Sequence, residues 1–402
     1  MKTNGTNVNF ASISSGFGLL AISVHLLRKF RDSGNTLELH DISTMDALRS
    51  GFEIASPISS EKRTHLAIVA TRPNKNFCKT LYSALANGFG PPHLVHFNKT
   101  FSRGHGDKVF RYNEYLHSGL VSKTDPVLLI DGYDLWFQLS EPIIRQRFME
   151  MNTNLLVGAD KKCWPNDATS LACTAWPTST LDKEVYGDWT DKEGMHEYAR
   201  PRWLNSGTLY GSLENLQKLF AEASKRAAIR TDKSFHDQEV LADILVEGKP
   251  AIDFTVDFSS HLFQTLTFAH QDIAWEVNPD PRSPASTPYN EEEGEDFDSN
   301  SQMTDAIDLG LADDKSRHLS FWYNRPLARN KISNKIPGSL HFNGRKSFIR
   351  WWWKRMWFSQ YSTRERLLST FENDDSPEQA GAWDGTRWLS WNDLCGMERL
   401  FV

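Results

Sequence analysis

The segment PVLLIDGYDLWF, Pro126 to Phe137, is an apolar run that ends in two aspartates, Asp131 and Asp134. Such a run predicts a buried strand, and side chains at the carboxyl end of a parallel strand project into the crevice where open α/β sheets bind ligands. Two neighbouring carboxylates repel each other unless a cation lies between them, and a divalent metal can bridge such a pair to a diphosphate. The segment therefore predicts a metal-assisted phosphate site, although aspartates also close strands as caps and turn residues.

Short apolar runs alternate with helical patterns from His65 to about Leu266, which predicts βα units around a mainly parallel sheet. The predicted strands are His65–Ala70, His93–Phe97, Val127–Ile130, Asn154–Gly158 and Ile252–Val256. The predicted helices are Phe77–Ala86, Val109–His117, Glu141–Met151, Leu213–Ala228 and His236–Val246. We therefore expect a nucleotide-binding α/β domain.

The composition excludes some classes of protein. The chain has 402 residues and a formal net charge of −6, so no nucleic-acid partner is expected, because a polyanion needs a basic face. Four cysteines are too few for a disulfide scaffold, and none form a CxxC pair typical of structural zinc. Cys163 and Cys173 flank a short loop that a disulfide would close in an oxidising compartment, but two free thiols fit the sequence equally.

Residues 1–60 form a predicted N-terminal arm. Phe10 to Leu27 is an apolar stretch and a candidate membrane anchor, while an ordinary surface helix or a disordered arm are open alternatives. The basic cluster RKFR follows the stretch and argues against a lumenal catalytic domain. The anchor, together with glycosylation sequons at Asn4 and Asn98, nevertheless favours the lumen of the endoplasmic reticulum or Golgi over the cytoplasm.

Two later segments differ in composition from the predicted domain at 61–345. Residues 278–315 are acidic and rich in Pro and Ser, which predicts a disordered insertion, and order is expected again at Leu319–Asn324 and Ile336–Asn343. The segment 346–402 is aromatic and basic. Its part from Ser347 to Ser359 carries four tryptophans and predicts either a membrane-interface helix or a helix packed over the sheet's edge.

Six motifs occur in one order along the chain: PVLLIDGYDLWF, GADKKCWP, WLNSGTLYG, HDQEV, VDFSSHLFQTL and LHFNG. In this respect the chain resembles the glycosyltransferase domain of procollagen lysyl hydroxylases and related collagen glycosyltransferases, across roughly His65 to Gly344. The resemblance implies a GT-A fold, a manganese ion, a UDP-sugar donor and transfer of a hexose to a hydroxyl acceptor. It implies Asp131, Asp134 and His341 as the metal ligands, which suits a metal that accepts mixed oxygen and nitrogen ligands.

The resemblance also implies donor-binding residues. Thr71 and Tyr133 match positions at the nucleotide, and Lys108 matches a lysine that offsets the diphosphate charge, although Thr71 and Lys108 also fit a plain surface role. Further matches lie in the loop against the donor sugar and in the HFNG motif, where backbone amides approach a phosphate: Ser206, Gly207, Asn343 and Gly344.

Four residues match the reaction centre of the family. Trp164 matches a tryptophan at the sugar pocket, and the alternative is a packing anchor beside a proline. Asn205 matches the loop against the donor sugar. Asp237 and Gln238 match residues that face the reaction centre, and the alternative for Asp237 is a helix N-cap.

The chain also departs from the family. The family's acidic run before its DQ is reduced here to SFHDQ, so the group that assists catalysis is in doubt. The family's lysine after its last motif has no counterpart at the same spacing, although Arg345 and Lys346 lie close enough to substitute. The lysyl hydroxylase half is not recognisable, so collagen is not implied as acceptor. The alternatives are a noncatalytic carbohydrate-binding protein on a degenerate transferase fold, or a phosphatase-type hydrolase.

Overall fold

A computed structural model describes residues 63–102, 104–230, 235–277, 325–372, 380–385 and 387–396. These residues belong to one compact unit, Ile54–Val402. The candidate anchor at 10–27, the predicted insertion at 278–315 and the segment 319–324 lie outside the described residues. Within the described ranges, no helix combines the length and the apolar character needed to cross a membrane.

The described chain alternates strands and helices. The strands are β1 (His65–Val69), β2 (His93–Val95), β3 (Pro126–Asp131), β4 (Leu135–Phe137), β5 (Leu155–Asp160), β6 (Trp203–Ser212), β7 (Thr255–Asp257), β8 (Phe263–Thr265), β9 (Ile273–Val277), β10 (Pro326–Asn330), β11 (Ser339–His341), β12 (Gly381–Trp383) and β13 (Trp388–Ser390). The helices are α1 (Lys75–Ala86), α2 (Asp107–Leu116), α3 (Glu141–Glu150), α4 (Leu171–Thr174), α5 (Leu213–Ala228), α6 (Asp237–Glu247), α7 (Ile349–Trp353), α8 (Tyr361–Glu372) and α9 (Trp391–Leu394).

The central sheet has eight strands in the order β13-β12-β2-β1-β3-β6-β5-β7. Parallel pairing joins β12 to β2, β2 to β1, β1 to β3 and β5 to β7, whereas β6 runs antiparallel to both β3 and β5. The predicted fold class, an α/β protein with a GT-A-like, mainly parallel mixed sheet, is confirmed. Strands β1, β3 and β5 are almost wholly buried, as their continuous apolar runs predict for strands covered on both faces.

Most predicted elements are present with shifted ends. Helix α5 spans the predicted residues, and α1 begins two residues earlier than predicted because the Asn74 side chain accepts hydrogen bonds from the amides of Asn76 and Phe77. The strand predicted at 252–256 is the shorter β7, and the one predicted at 93–97 ends at Val95. Strand β6 was not predicted, although it joins the two parts of the sheet.

A second sheet of three strands, β4-β11-β8, delivers the last predicted metal ligand to the end of β3. His341 ends β11 and lies opposite Leu135 on β4 and Thr265 on β8. The amide of Phe342 then donates to the Asp134 carbonyl oxygen at 2.7 Å. The pairing therefore brings together two residues that are far apart in sequence.

The C-terminal segment packs onto the domain and extends its sheet. Trp352, Trp353 and Trp357 are buried, whereas Trp351 is 48% exposed. Trp353 contacts the rings of Tyr82 on α1 and Trp136 on β4. This burial is the packing role predicted as the alternative to a membrane-interface helix.

Both cysteine pairs of the chain form disulfides. Cys163 bonds to Cys173, so this pair is not two free thiols. Cys78 on α1 bonds to Cys395, 317 residues later, immediately after α9. The second bond was not predicted, and it ties the C-terminal segment to the domain.

Candidate metal and donor site

Asp131, Asp134 and His341 converge at the end of β3. One ligand atom from each lies within 4.8 Å of the other two. The His341 Nε2 atom is 3.7 Å from a carboxylate oxygen of Asp131 and 3.5 Å from one of Asp134. Because metal–oxygen bonds of divalent cations measure about 2.0–2.6 Å, atoms so spaced can share one ion.

The orientation of the His341 ring is fixed by Asn205. The Asn205 Oδ1 atom accepts a hydrogen bond from the Gly207 amide at 3.0 Å and lies 2.9 Å from His341 Nδ1. Since Oδ1 is an acceptor, Nδ1 carries the proton and the lone pair of Nε2 points to the aspartates. Buried Nε2 makes no hydrogen bond to any described residue, as expected of a metal ligand.

Asn205 is held in turn by Asp160, at the end of β5. Its Nδ2 atom donates to Asp160 Oδ2 at 3.0 Å, and Asn343 donates to Oδ1 of the same carboxylate at 2.7 Å. Burial raises the pKa of Asp160, while these two amides favour its charged form. Asp160 therefore holds the Asn205 side chain, which in turn orients the His341 ring of the metal triad. It lies in the motif GADKKCWP, but its role was missed because nothing local distinguishes it from a strand-end aspartate.

Gly207 is required by the closeness of the His341 ring. A Cβ atom at this position would overlap the imidazole and lie 2.9 Å from each ring nitrogen. Only glycine leaves room for the ring at this distance. The predicted importance of Gly207 therefore has a structural cause in the placement of His341.

Two lysines neutralise the carboxylates of the triad. Lys108 is buried, and its Nζ atom contacts Asp131 Oδ1 at 2.7 Å and Asp237 Oδ2 at 2.9 Å. Although burial opposes its charge, the two carboxylates hold the pKa of Lys108 above its ordinary value. Lys108 is not a plain surface residue, and it links α2, β3 and α6.

The second lysine, Lys346, forms an ion pair with Asp134 and donates to the Phe342 carbonyl oxygen at 2.7 Å. Burial opposes ionisation of Asp134, but the positive charge of His341 when its ring is protonated, together with that of Lys346, holds the pKa of Asp134 below the usual range. The Lys346 side chain is 51% exposed, so it can turn from the carboxylate to another anion. Lys346 is one of the two residues, with Arg345, that the sequence indicated as substitutes for the family's later lysine.

Comparisons with known proteins show the family of the chain. A family model described as "PLOD GT domain" matches residues 93–293, which is half of the chain. The chain belongs to the PLOD GT domain family. The matched residues include Asp131, Asp134 and Asp237, whereas Thr71 and His341 lie outside them.

A curated relative gives a more limited match. The "Procollagen-lysine,2-oxoglutarate 5-dioxygenase" of Drosophila melanogaster is 25% identical over 152 residues, which is 38% of this chain and 18% of that protein. The chain thus spans less than a fifth of the length of this relative. The similarity is to a glycosyltransferase-domain family, and the activity of the whole relative does not follow from it.

The PLOD GT domain also brings together the residues predicted at the reaction centre. Gln238 Oε1 accepts from the Ser206 amide at 3.0 Å, and its Nε2 atom donates to the Trp164 carbonyl oxygen. The Trp164 side chain is 51% exposed and therefore is not a buried packing anchor. Asp237 is the first residue of α6 and His236 is the N-cap, so the N-cap alternative for Asp237 is wrong.

The two residues predicted at the nucleotide also meet in this PLOD GT domain. The Tyr133 hydroxyl accepts from the Thr71 amide at 2.8 Å and lies 3.0 Å from the Thr71 hydroxyl. The Arg72 amide donates to the same oxygen at 3.1 Å. Tyr133 therefore fixes the backbone where β1 ends.

Asn343 and Gly344 lie on the other side of the triad. Besides donating to Asp160, the Asn343 side chain accepts from the amides of Leu266 and Thr267 at 2.9 and 3.1 Å. Gly344 has a φ of 80°, and a Cβ atom there would lie 2.6 Å from the Thr267 hydroxyl oxygen. The Asn343 side chain is thus engaged within the protein, and the backbone of this loop is the part that can face a ligand.

Proposed function

We propose that this PLOD GT domain is a metal-dependent hexosyltransferase, which moves a sugar from a UDP-sugar to a hydroxyl group of an acceptor. The observation that carries the proposal is the convergence of Asp131, Asp134 and His341, with an unpartnered, buried imidazole nitrogen among them. A noncatalytic carbohydrate-binding protein would need neither the triad nor its supporting amides.

The three candidate metal ligands suit manganese. Two carboxylates and one neutral imidazole offer oxygen and nitrogen to one ion and leave other coordination positions open for phosphate oxygens. Support from Asn205 and Asp160 behind His341 is the arrangement that fixes a metal-binding histidine. The cation, when bound, supplies positive charge that offsets the charge on the departing UDP.

Residues of the chain bind and orient the rest of the donor. The nucleotide part of the donor is proposed to lie beside Tyr133 and Thr71. The Tyr133 hydroxyl contacts Thr71 and so holds the backbone in place where β1 ends. Lys346 can exchange its contact with Asp134 for a phosphate oxygen, since its side chain is half exposed. Lys108, with two carboxylate partners, instead keeps Asp131 and Asp237 in position.

The sugar is proposed to lie between Ser206, Gly207 and Trp164. Gln238 joins these elements through its bonds to the Ser206 amide and the Trp164 carbonyl oxygen. The exposed indole of Trp164 offers an apolar face to a pyranose.

We propose that the protein acts in the lumen of the endoplasmic reticulum or Golgi. All four cysteines are paired, and disulfides persist mainly in oxidising compartments. The Asn98 sequon lies exposed in a turn, where an oligosaccharide has room.

Binding of UDP tests the site. Calorimetric titration of UDP into the purified protein should give binding with Mn²⁺ and none with a chelator. Asp134→Asn should lose this binding. Asp125→Asn is the control and should retain it, because Asp125 lies just before β3 and pairs with His65. Equal UDP binding with and without metal would contradict the proposal.

A further inference from the structure

A cavity of about 420 Å³ lies between the turn after β2 and the hairpin formed by β12 and β13. Three parts of the chain that are far apart in sequence form its walls, which include Pro73, Phe97, Asn98, Arg387, Trp388 and Asp393. We call it the Asn98 cavity. Of the described residues that line it, none is a candidate metal or donor residue, and β1 lies between β2 and the strand that carries Asp131. The Asn98 cavity is therefore separate from the metal and donor site.

Asn98 borders the cavity and is also open to solvent. It begins the sequon Asn98-Lys99-Thr100, and all three residues are exposed. The Lys99 amide donates to the His96 carbonyl oxygen at 3.3 Å, which closes a turn in which Asn98 has a φ of 55°. Asparagine adopts this left-handed conformation more readily than most residues. Asn98 is therefore accessible to glycosylation, and a sugar attached to it begins at the edge of the cavity.

The apolar wall of the Asn98 cavity suits a sugar ring. Trp388 is partly exposed, and Pro73 and Phe97 add further apolar surface. An indole is a large flat apolar surface, and small-molecule sites combine such surfaces with a few polar groups. A volume of about 420 Å³ also lies in the range of such sites.

Arg387 and Asp393 supply the polar groups. The Arg387 side chain is 68% exposed and its contact with Asp384 is long, at 3.4 Å, so the guanidinium can donate to another acceptor. Asp393 accepts from the Ser390 amide at 3.0 Å and from its hydroxyl at 2.8 Å, both through Oδ2. A carboxylate has further acceptor sites beyond these two. The pair therefore offers a donor and an acceptor to one ligand.

A ligand in the Asn98 cavity would join the C-terminal hairpin to the rest of the sheet. In the described part of the chain, β12 pairs with β2 at one position, Trp383 opposite His93. A disulfide from Cys78 to Cys395 is a second link. Because Asn98 follows β2 and Trp388 begins β13, a group that touches both adds a third link at the edge of the sheet.

We propose that Asn98 carries an N-linked glycan whose first N-acetylglucosamine occupies the Asn98 cavity, packs on Trp388 and fastens the C-terminal hairpin to the domain. The acetamido and hydroxyl groups of this sugar suit Arg387 and Asp393. Its covalent bond to Asn98 keeps the sugar at a high effective concentration, so weak contacts are sufficient. The inference goes beyond the transferase activity, and it requires the lumenal location proposed above.

Attachment of the glycan needs a lipid-linked oligosaccharide diphosphate and a separate transferase of the secretory pathway. A bond forms between Nδ2 of Asn98 and the anomeric carbon of the first sugar, and Nδ2 loses one proton. The bond from that carbon to phosphate breaks, and the lipid diphosphate leaves.

Thermal unfolding of protein from a secretory host that makes high-mannose glycans tests the inference. Asn4→Gln removes the other sequon from every protein compared. Thr100→Ala then prevents glycosylation but keeps Asn98 and its turn. We expect Thr100→Ala to lower the melting temperature by about 2 °C. In Trp388→Ala the same change should have less than about half of this effect, because the sugar has lost its packing surface.

Two further variants complete the comparison. Trp189→Ala is the matched control, because Trp189 is 46% exposed and does not line the Asn98 cavity; it should keep the full effect of Thr100→Ala. Arg387→Ala changes an exposed side chain and should reduce the effect, so the inference stays testable if Trp388→Ala does not fold.

Trimming separates the first sugar from the rest of the glycan. Endoglycosidase H leaves one N-acetylglucosamine on Asn98 and should keep the melting temperature of the glycosylated protein. Peptide N-glycosidase removes this sugar as well and should lower the melting temperature to that of Thr100→Ala.

Four results would overturn the inference. They are an unmodified Asn98 in the mass spectrum of the secreted protein, an undiminished effect of Thr100→Ala in both Trp388→Ala and Arg387→Ala, and loss of the effect on trimming to one sugar. The fourth is weaker calorimetric binding of UDP with Mn²⁺ in Thr100→Ala than in wild type, because the cavity would then belong to the donor site.

Discussion

Replacement of Asn205 by alanine should weaken Mn²⁺ binding without removing a metal ligand. Asn205 Oδ1 lies 2.9 Å from His341 Nδ1, so the variant removes the acceptor that fixes the ring and its tautomer. Loss of such a supporting contact typically costs about 10- to 100-fold in metal affinity. That range corresponds to about 1.4–2.7 kcal/mol of binding free energy.

The same variant should also lower the free energy of unfolding. Asp160 Oδ2 loses a donor that lies 3.0 Å away, and a buried acceptor left without a partner costs about 1–3 kcal/mol. Calorimetric titration with Mn²⁺ measures the affinity, and denaturant unfolding of the metal-free protein measures the stability.

Asn343→Ala separates the two effects. It removes the other amide donor to Asp160, at 2.7 Å, but leaves the contact between Asn205 and His341. We expect at least as large a loss of stability, because Asn343 also accepts from the Leu266 and Thr267 amides, with a smaller loss of metal affinity. Wild-type affinity in Asn205→Ala, or equal losses of affinity in both variants, would refute the proposed control of the His341 ring by Asn205.

Three further predictions address the site, the core and the compartment. Gly207→Ala should abolish metal-dependent UDP binding in calorimetry, because its methyl group displaces His341, whereas Gly90→Ala has open space and should bind normally. Burial lowers the pKa of Lys79 to about 8 from 10.5. Between pH 8 and pH 10.5 the unfolded chain carries a proton on Lys79 that the folded chain has lost. The free energy of unfolding should therefore rise with pH across this window by up to about 3 kcal/mol. Lys79→Met should flatten this rise when unfolding is measured at several pH values. After expression through a secretory pathway, mass spectrometry should find a glycan on Asn98 that Asn98→Gln lacks, and an unmodified Asn98 would contradict the lumenal proposal.

Those parts of the fold that depend on local apolar patterns could be predicted from the sequence. Runs such as HLAIV and PVLLI are continuous because both faces of β1 and β3 are buried. Asp131 and Asp134 could be recognised because they follow such a run directly. The fold class and the aspartate pair could therefore be predicted from local sequence patterns.

Strand β6 could not be predicted from its pattern. WLNSGTLYGS carries polar residues at buried positions, because Asn205, Ser206 and Thr208 lie within the strand. Asn205 and Ser206 make the hydrogen bonds that build the site. The site needs polar side chains at positions where a strand pattern would carry apolar ones. Such departures from a local pattern are expected at functional sites.

Long-range pairings were equally hidden. His341 reaches the aspartates only because three-residue β11 pairs with β4, and no local signal specifies that pairing. It was found by resemblance rather than by residue pattern. The bond between Cys78 and Cys395 spans 317 residues and also has no local signal.

Turnover of a panel of UDP-sugars by the purified protein tests the transferase proposal most directly. UDP release is measured with Mn²⁺ or with chelator, for wild type and for Asp134→Ala. We predict Mn²⁺-dependent release from at least one UDP-hexose, abolished by the substitution. No release from any donor, together with unchanged thermal stability when UDP and Mn²⁺ are added, would contradict the proposal and favour a noncatalytic protein.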